Sequence, residues 1–185
     1  MRLGAGDAKS VIEGRGCAMG RHAAVIHEEE VMVPFGDLTL AGNLALPHEA
    51  SGIVLFAHGS GSGRHSPRNR FVASHLQESG LATLLFDLLT EEEESIEQYT
   101  GHLRFDIGLL ADRLVGATDW VARQPEMSEL PVGYFGASTG GGAALVAAAN
   151  RQERVKAVGR IEVAGSIQKE GERTSRGVVL AHGAM

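Results

Sequence analysis

Three short, almost wholly apolar runs constrain the fold of this chain more than any other feature of its sequence. They cover residues 53–56, 81–85 and 132–135, and none of them alternates regularly between apolar and polar positions. A strand with one face in water alternates, whereas a strand buried on both faces reads as a continuous apolar run. The runs therefore predict three central strands of a sheet that is covered on both sides.

A helical segment follows each run. The first is predicted to begin at Ser66-Pro67, which suit a helix cap and first turn, and to end at Gly80. Phe71, His75 and Leu76 are expected to share one of its faces.

The second helix is predicted over residues 104–124, where apolar residues recur at intervals of three and four, and the third is the small-residue segment 138–150. Strands that alternate with helices predict an α/β fold, with a mostly parallel sheet and helices on both faces.

The region before the first run predicts an antiparallel pair of strands over residues 31–34 and 38–46, with a turn at 35–37. Residues 1–28 have neither helical nor strand periodicity, so we expect them to form a flexible N-terminal tail. A further strand is predicted at 155–158. The core domain then covers residues 29–158, and residues 159–185 form a divergent C-terminal segment.

Charge and cysteine content exclude several function classes. The formal net charge is −6, and the basic residues are scattered, which argues against nucleic acid or an anionic membrane as partner. Cys17 is the only cysteine, so neither an internal disulfide nor a cysteine-based metal site is expected. No apolar run could span a bilayer, and the first twenty residues lack the core of a signal peptide. The predicted location is the cytoplasm, and no metal is expected.

The motif with the clearest chemistry spans residues 136–140, which read Gly-Ala-Ser-Thr-Gly and match G-x-S-x-G. It lies between an apolar strand and a small-residue helix, where a sharp turn exposes a nucleophilic serine and where the residues two before and two after it must be small. This context favours Ser138 as a nucleophile. The competing interpretation is a glycine-rich turn with an incidental serine.

A second glycine-rich loop, residues 58–63, follows the first buried strand and reads His-Gly-Ser-Gly-Ser-Gly. In folds with a nucleophile turn, this loop supplies one N–H of the oxyanion hole, and we expect Ser60 to donate it beside the N–H of Thr139. A phosphate-binding loop is the rival, but the loop has no lysine and does not match G-x-G-x-x-G. We expect His58 to order this loop. We expect Asp87 to cap a loop with its side chain.

These motifs resemble those of the dienelactone-hydrolase-like branch of the α/β-hydrolase superfamily, over about residues 29–158. The resemblance rests on residues 53–63, 81–94, 104–120 and 132–149. It implies an α/β-hydrolase fold and a serine hydrolase that cleaves carboxylic ester or lactone bonds of small molecules without a cofactor. It also implies that Ser138 is the nucleophile and that Ser60 and Thr139 line the oxyanion hole.

The C-terminal part departs from this family, whose chain order is nucleophile, acid, histidine. After Ser138 the sequence has no aspartate and a single histidine, His182, while the candidate acids are Glu153, Glu162, Glu170 and Glu172. The residues 177–181 could form the next strand. We therefore expect the late strands to be missing or divergent, and the triad to be incomplete.

Three functions remain open at this point. The first is a serine hydrolase, weak because its triad is incomplete. The second is a truncated, catalytically inactive hydrolase-fold protein that acts as a binding module. The third, a nucleotide-binding α/β protein, is disfavoured by the missing phosphate motif. An unpaired sheet edge would also invite a homo-oligomer.

Overall fold

The computed structural model of the chain describes residues 26–161 and 178–182. The strands are β1 (Ile26–Phe35), β2 (Leu38–Pro47), β3 (Ile53–Ala57), β4 (Ala82–Phe86), β5 (Val132–Ala137), β6 (Val155–Ile161) and β7 (Val178–His182). The helices are α1 (Pro67–Glu78), α2 (Glu91–Thr100), α3 (Ile107–Arg123) and α4 (Thr139–Asn150), and a short 3₁₀ turn covers Leu103–Phe105. Within these residues, no helix is long and apolar enough to cross a membrane.

All the described strands form one sheet, in the order β1-β2-β4-β3-β5-β6-β7. Its centre is parallel, because β4, β3, β5 and β6 run in the same direction. The hairpin of β1 and β2 adds antiparallel strands at one edge, and its two-residue turn is made possible by Gly36, whose φ is +57°. The α/β architecture expected from the sequence is confirmed.

Side chains of the central strands alternate between two apolar layers. Leu55, Leu84 and Tyr134 belong to the larger core cluster, which α3 and α4 cover. Their neighbours Phe56, Leu85 and Phe135 belong to a smaller cluster beneath α1. The rings of Phe56 and Phe135 contact each other with centroids 5.0 Å apart. Helices on both faces explain why the three runs lack alternation, since both sets of side chains are buried.

One predicted boundary was wrong, and one predicted helix face is not the buried face. Strand β1 begins at Ile26, inside the predicted N-terminal tail, because an edge strand forms by backbone pairing with β2 and tolerates the charged run Glu28-Glu29-Glu30. On α1, the shared face is confirmed for Phe71 and His75, whose rings contact each other, but both are exposed, and the buried residues are Asn69, Ala73 and Gln77. Because Asn69 and Gln77 are polar, the apolar pattern did not reveal which face of α1 is buried.

Strand β7 also differs from the expected continuation of the sheet. It begins at Val178, one residue later than predicted, and pairs antiparallel with β6. The register sets His182 opposite Ala157 of β6. Strand β7 thus runs opposite to β6, whereas the four central strands are parallel to one another.

Glycine at the start of α4 brings this helix against the end of β3. A Cβ atom added to Gly140 would overlap the carbonyl oxygens of Ala57 and His58, which are backbone atoms and cannot rotate away. Two residues further along the same helix, a Cβ on Gly142 would meet only the Ile107 side chain, at 3.3 Å.

We predict that Gly140→Ala destabilises the protein, while Gly142→Ala leaves stability equal or slightly higher. Overlap with fixed backbone costs about 1–3 kcal/mol or more, whereas alanine gains up to about 1 kcal/mol over glycine inside a helix. Urea unfolding of both variants measures the difference. Equal stability of the two variants would mean that α4 does not approach β3 this closely.

Candidate active site

Ser138 joins β5 to α4 and has an unusual backbone conformation. Its φ is 52° and its ψ is −121°, and Glu49 is the only other non-glycine residue with positive φ in the described chain. Such a conformation is costly for a residue with a side chain and is found where a functional turn imposes it. A Cβ on Gly136 would lie 2.6 Å from the Gly140 oxygen, so the turn requires both glycines. The side chain of Ser138 is exposed.

The glycine-rich loop after β3 lies directly against this turn. A Cβ on Gly59 would be 2.9 Å from the Ala137 oxygen and 3.3 Å from the Ser138 Cβ. The backbone N–H of Ser60 donates a hydrogen bond to Thr139 Oγ1 at 3.1 Å. The structure thus brings together Ser60, Ser138 and Thr139, the three residues that sequence analysis selected.

His58 holds the start of this loop. Its ring is buried, Nε2 accepts a hydrogen bond from the Leu88 N–H at 2.9 Å, and Nδ1 lies 3.1 Å from the Gly59 oxygen. Because Leu88 N–H can only donate, Nε2 is unprotonated, and the proton on Nδ1 is donated to Gly59. Both ring nitrogens of His58 are therefore engaged in ordering the loop, as expected from the sequence.

Asp87 caps the other end of the loop, also as expected. Its carboxylate accepts a hydrogen bond from the Arg64 backbone N–H at 2.8 Å and one from the Arg64 guanidinium at 3.1 Å. A side chain on Gly63 would collide with this carboxylate, at 2.7 Å. The loop is thus tied at both ends to residues that follow β4.

Sequence analysis did not identify the buried ion pair that holds the segment after β4. Arg113 of α3 is 2% exposed and donates to both carboxylate oxygens of Glu93 and to the Leu88 oxygen. Its hydrogen bonds are the largest influence that lowers the pKa of Glu93. Leu88 therefore links two residues, because its oxygen accepts from Arg113 while its N–H donates to His58.

One half of this arrangement is readable from the sequence. Thr90 and Glu93 form a capping box at the start of α2, in which each side chain bonds the other residue's backbone N–H. Arg113, by contrast, lies twenty residues beyond Glu93 and carries no local signal.

Two adjoining depressions, which share Ser60, Gly61 and Arg104 in their walls, are together called the groove. Beside Ser60 and Thr139 it is narrow and lined by Leu89, Leu110 and Arg104. The wider depression, of about 390 Å³ and open to solvent, has Tyr99, Thr100 and Phe105 in its wall, the two aromatic residues being 85% and 59% exposed. Of the nucleophile turn, Thr139 lines the narrow depression, while the aromatic residues line the wider one.

Glu97 fixes the wall of this groove, although nothing in the sequence marks it. Its side chain is buried and accepts hydrogen bonds from the Thr100 hydroxyl, the Leu103 N–H, and the N–H and Nε of Arg104. Burial alone would raise the pKa of Glu97, but these hydrogen bonds outweigh it and lower the pKa to about 2. The carboxylate is therefore ionised at neutral pH and orients Arg104 along the groove.

The described residues supply no base for Ser138. Within residues 26–161 and 178–182, no hydrogen bond involves its hydroxyl, and no cluster of three or more acidic, histidine or cysteine residues could hold a metal. His182 pairs with Ala157, which is paired with Gly133 of β5, five residues before Ser138. At about 3.3 Å per residue, that register puts the His182 backbone on the order of 16 Å from Ser138 along the strand direction.

Comparison with known proteins gives relatives of two kinds. No family model matches the sequence. Two curated proteins of Mycobacterium tuberculosis, one from strain CDC 1551 and one from strain H37Rv, are each 56% identical over 144 residues, and each is provisionally named a phosphoribosyl transferase. The match covers 76% of this chain but 32% of each relative. The chain thus spans about a third of the length of the curated relatives it matches.

Solved structures resemble the chain over a similar share of its length. A dienelactone hydrolase from Anabaena variabilis is 67% identical with a TM-score of 0.71, and the match covers 72% of this chain and 62% of that one. A cold-adapted esterase from an Arctic intertidal metagenomic library has a TM-score of 0.55 over 71% and 58% of the two chains. Its identity is 18%, so it supports the fold alone.

We predict that Glu97 makes stability depend on pH between about 4.5 and 2. Its pKa is lower in the folded chain than its ordinary value of 4.5, so the folded state binds fewer protons than the unfolded state in this window. The stabilisation is complete above pH 4.5 and is lost as the pH falls toward 2. Glu97→Gln should unfold at lower urea concentration at pH 7 and should lose less further stability on acidification.

Glu94→Gln is the matched control. Glu94 is 44% exposed on the same helix, 4.0 Å from Arg104, and should contribute little because exposed ion pairs are screened by water. If the two variants had the same unfolding profile at pH 7 and pH 3, the assignment of a special role to Glu97 would be wrong.

Proposed function

Because the chain belongs to the dienelactone-hydrolase-like branch of the α/β-hydrolases, we propose that it carries the nucleophile and oxyanion site of a serine hydrolase. One observation carries the proposal: Ser138 has a strained backbone at an exposed strand-to-helix turn, in contact with a glycine-rich loop. An incidental serine in a glycine-rich turn needs no such strain, since a glycine at that position would adopt positive φ without cost.

The proposed reaction is attack of Ser138 Oγ on the carbonyl carbon of a carboxylic ester or lactone. The carbonyl oxygen becomes an oxyanion, and in this proposal the Thr139 N–H at the start of α4 and the adjoining Ser60 loop stabilise it. The N-terminus of α4 adds a favourable field for this negative charge. No cofactor enters the proposal.

The groove supports a small-molecule substrate. The narrow part beside Ser60 would hold the reacting carbonyl, and the wider cavity near Tyr99 and Phe105 would take an apolar or aromatic portion of the molecule. The acidic net charge keeps nucleic acid and anionic membranes disfavoured as partners. A cytoplasmic location stays a prediction from the sequence.

The proposal includes weak catalysis by these 185 residues on their own. A serine hydroxyl is a poor nucleophile at neutral pH and needs a base within hydrogen-bond reach, oriented by an acid. Loss of triad function leaves a residual enhancement of about 10³–10⁴ over water, which comes from the oxyanion hole and from binding. This residual activity is what the described site would deliver.

The alternative is a binding module that keeps the fold without turnover. The specific observation in its favour is the absence of a base near Ser138 among the described residues. The name of the mycobacterial relatives suggests phosphoribosyl transfer, but this chain matches 32% of their length. We therefore propose no phosphoribosyl transfer for this chain.

A homo-oligomer through a sheet edge also stays a proposal. The edge strand β1 carries three successive glutamates, Glu28–Glu30, and Pro34, which repel or interrupt pairing with a second copy. We therefore propose that any such pairing uses the opposite edge, formed by β7.

The test is hydrolysis of an activated acetyl ester by the purified chain, beside Ser138→Ala and His182→Ala. We expect feeble turnover that Ser138→Ala abolishes and His182→Ala leaves unchanged, since the register keeps His182 away from the serine. A parallel incubation with phosphoribosyl pyrophosphate and a nucleobase should form no nucleotide.

Three results would change the account. Turnover that survives Ser138→Ala contradicts the nucleophile. Robust turnover that both Ser138→Ala and His182→Ala abolish would make His182 the base. It would refute the incomplete triad. No turnover at all, with retained binding of the ester's unreactive amide analogue, supports the binding module.

A further inference from the structure

A hydrogen bond joins the oxyanion loop to the nucleophile turn. An oxyanion hole made of two backbone N–H groups does not require such a bond. The Ser60 N–H, the expected donor from the loop, is already bonded to the Thr139 side-chain hydroxyl, with a nitrogen–oxygen distance of 3.1 Å. A backbone amide has a single hydrogen, so it cannot make a full hydrogen bond to a substrate oxygen while it donates to Thr139.

We propose that the Thr139 hydroxyl is itself a catalytic donor, which hydrogen-bonds the oxyanion together with the Thr139 backbone N–H. The Ser60 N–H then acts through Thr139 Oγ1 rather than on the substrate. This inference rests on the proposed serine hydrolase function and assigns a side chain to a task that sequence analysis gave to two backbone groups.

The hydrogen-bonding capacity of the hydroxyl fits this role. A threonine hydroxyl can accept through its lone pairs and donate one proton. The Ser60 N–H donates to one lone pair of the Thr139 hydroxyl. Among the described residues, no acceptor for the proton of this hydroxyl occurs. A hydroxyl that accepts a hydrogen bond becomes a stronger donor, because bonds in a chain polarise one another. Ser60 thus strengthens the donation that Thr139 makes.

The position of the hydroxyl fits as well. Thr139 is the first residue of α4 and directly follows Ser138, so its side chain and N–H both begin next to the nucleophile. It also lines the narrow end of the groove with Ser60, Gly59 and Leu89. The β-branched side chain has few rotamers, and the bond from Ser60 selects one of them. The donor is therefore preorganised, which is what an oxyanion site requires.

The step balances without any further reactant. A bond forms between Ser138 Oγ and the carbonyl carbon, and the carbonyl π pair moves onto its oxygen. The serine proton goes to a base or to water, and the Thr139 hydroxyl keeps its own proton throughout. When the intermediate collapses, the C=O bond re-forms and the alkoxide of the ester or the ring oxygen of the lactone leaves. Thr139 contributes hydrogen bonding alone.

The competing arrangement is that Thr139 only blocks the Ser60 N–H and rotates away when substrate binds. The two arrangements predict opposite effects for Thr139→Val, which keeps the shape and removes the hydroxyl. If the hydroxyl is a donor, kcat for the activated ester falls by about 10²-fold or more, the usual loss for one oxyanion donor, with little change in KM. If Thr139 only blocks the Ser60 N–H, kcat stays equal or rises.

Thr139→Ser is the conservative variant, since it keeps the hydroxyl and removes a methyl group. It should retain kcat within about tenfold of the unaltered chain, which is less than the loss expected from removing a donor. Urea unfolding of all variants separates this effect from lost stability, because Thr139→Val should unfold at nearly the same midpoint.

The ratio of cleavage rates for two substrates tests the catalytic role of Thr139. A purely structural role of Thr139 would not change this ratio. Sulfur anions accept hydrogen bonds poorly, so the unaltered chain should cleave the oxygen ester much faster than the matching thionoester. Thr139→Val should shrink this ratio, while Thr139→Ser should preserve it. An unchanged ratio in Thr139→Val, or kcat equal to or above that of the unaltered chain, overturns the inference and leaves the nucleophile in place. Turnover that is indifferent to Ser138→Ala overturns the proposed function, and this inference with it.

Discussion

The close approach of two backbone turns is the constraint on which the rest of this structure depends. The loop after β3 and the turn before α4 touch through main-chain atoms, at distances that leave no room for a side chain on Gly59, Gly136 or Gly140. Contact of this kind aligns the end of β3 with the end of β5, two neighbouring strands of the parallel centre. Ser138 is exposed at that junction because the turn, rather than its own preference, sets its backbone.

A second group of residues also keeps the loop after β3 in place. His58, Asp87 and the Glu93–Arg113 pair are all at least partly buried, and each uses its hydrogen bonds on backbone groups of the loop or of the segment after β4. Buried polar groups are costly when unpaired, so these hydrogen bonds favour one loop conformation over its alternatives, although Arg64 Nε and Arg113 Nε have no partner among the described residues. The same reasoning explains why Glu97 stays ionised while buried, since four donors from Thr100, Leu103 and Arg104 meet its oxygens.

Sequence patterns predicted the features that local chemistry determines. The doubly buried strands, the glycine-rich loop and the Ser138 turn each follow from residues close together in the chain. The start of β1, the buried face of α1 and the roles of Glu97 and Arg113 did not, because each depends on a partner that is distant in sequence. A charged edge strand pairs through its backbone, and Asn69 and Gln77 are buried by α1 packing that an apolar pattern does not reveal. The Thr139–Ser60 bond joins residues 79 positions apart and was equally beyond a local pattern.

The central claim is that Ser138, exposed by the strained turn beside the oxyanion loop, is the serine that reacts. Labelling with a fluorophosphonate probe tests it most directly, since one phosphonylation event needs no turnover and its site can be read by peptide mass spectrometry. The account predicts label on the peptide that contains Ser138, faster than on any surface serine, and no label there in denatured protein. Label spread evenly over exposed serines, or absent from Ser138 while the fold is intact, would contradict it.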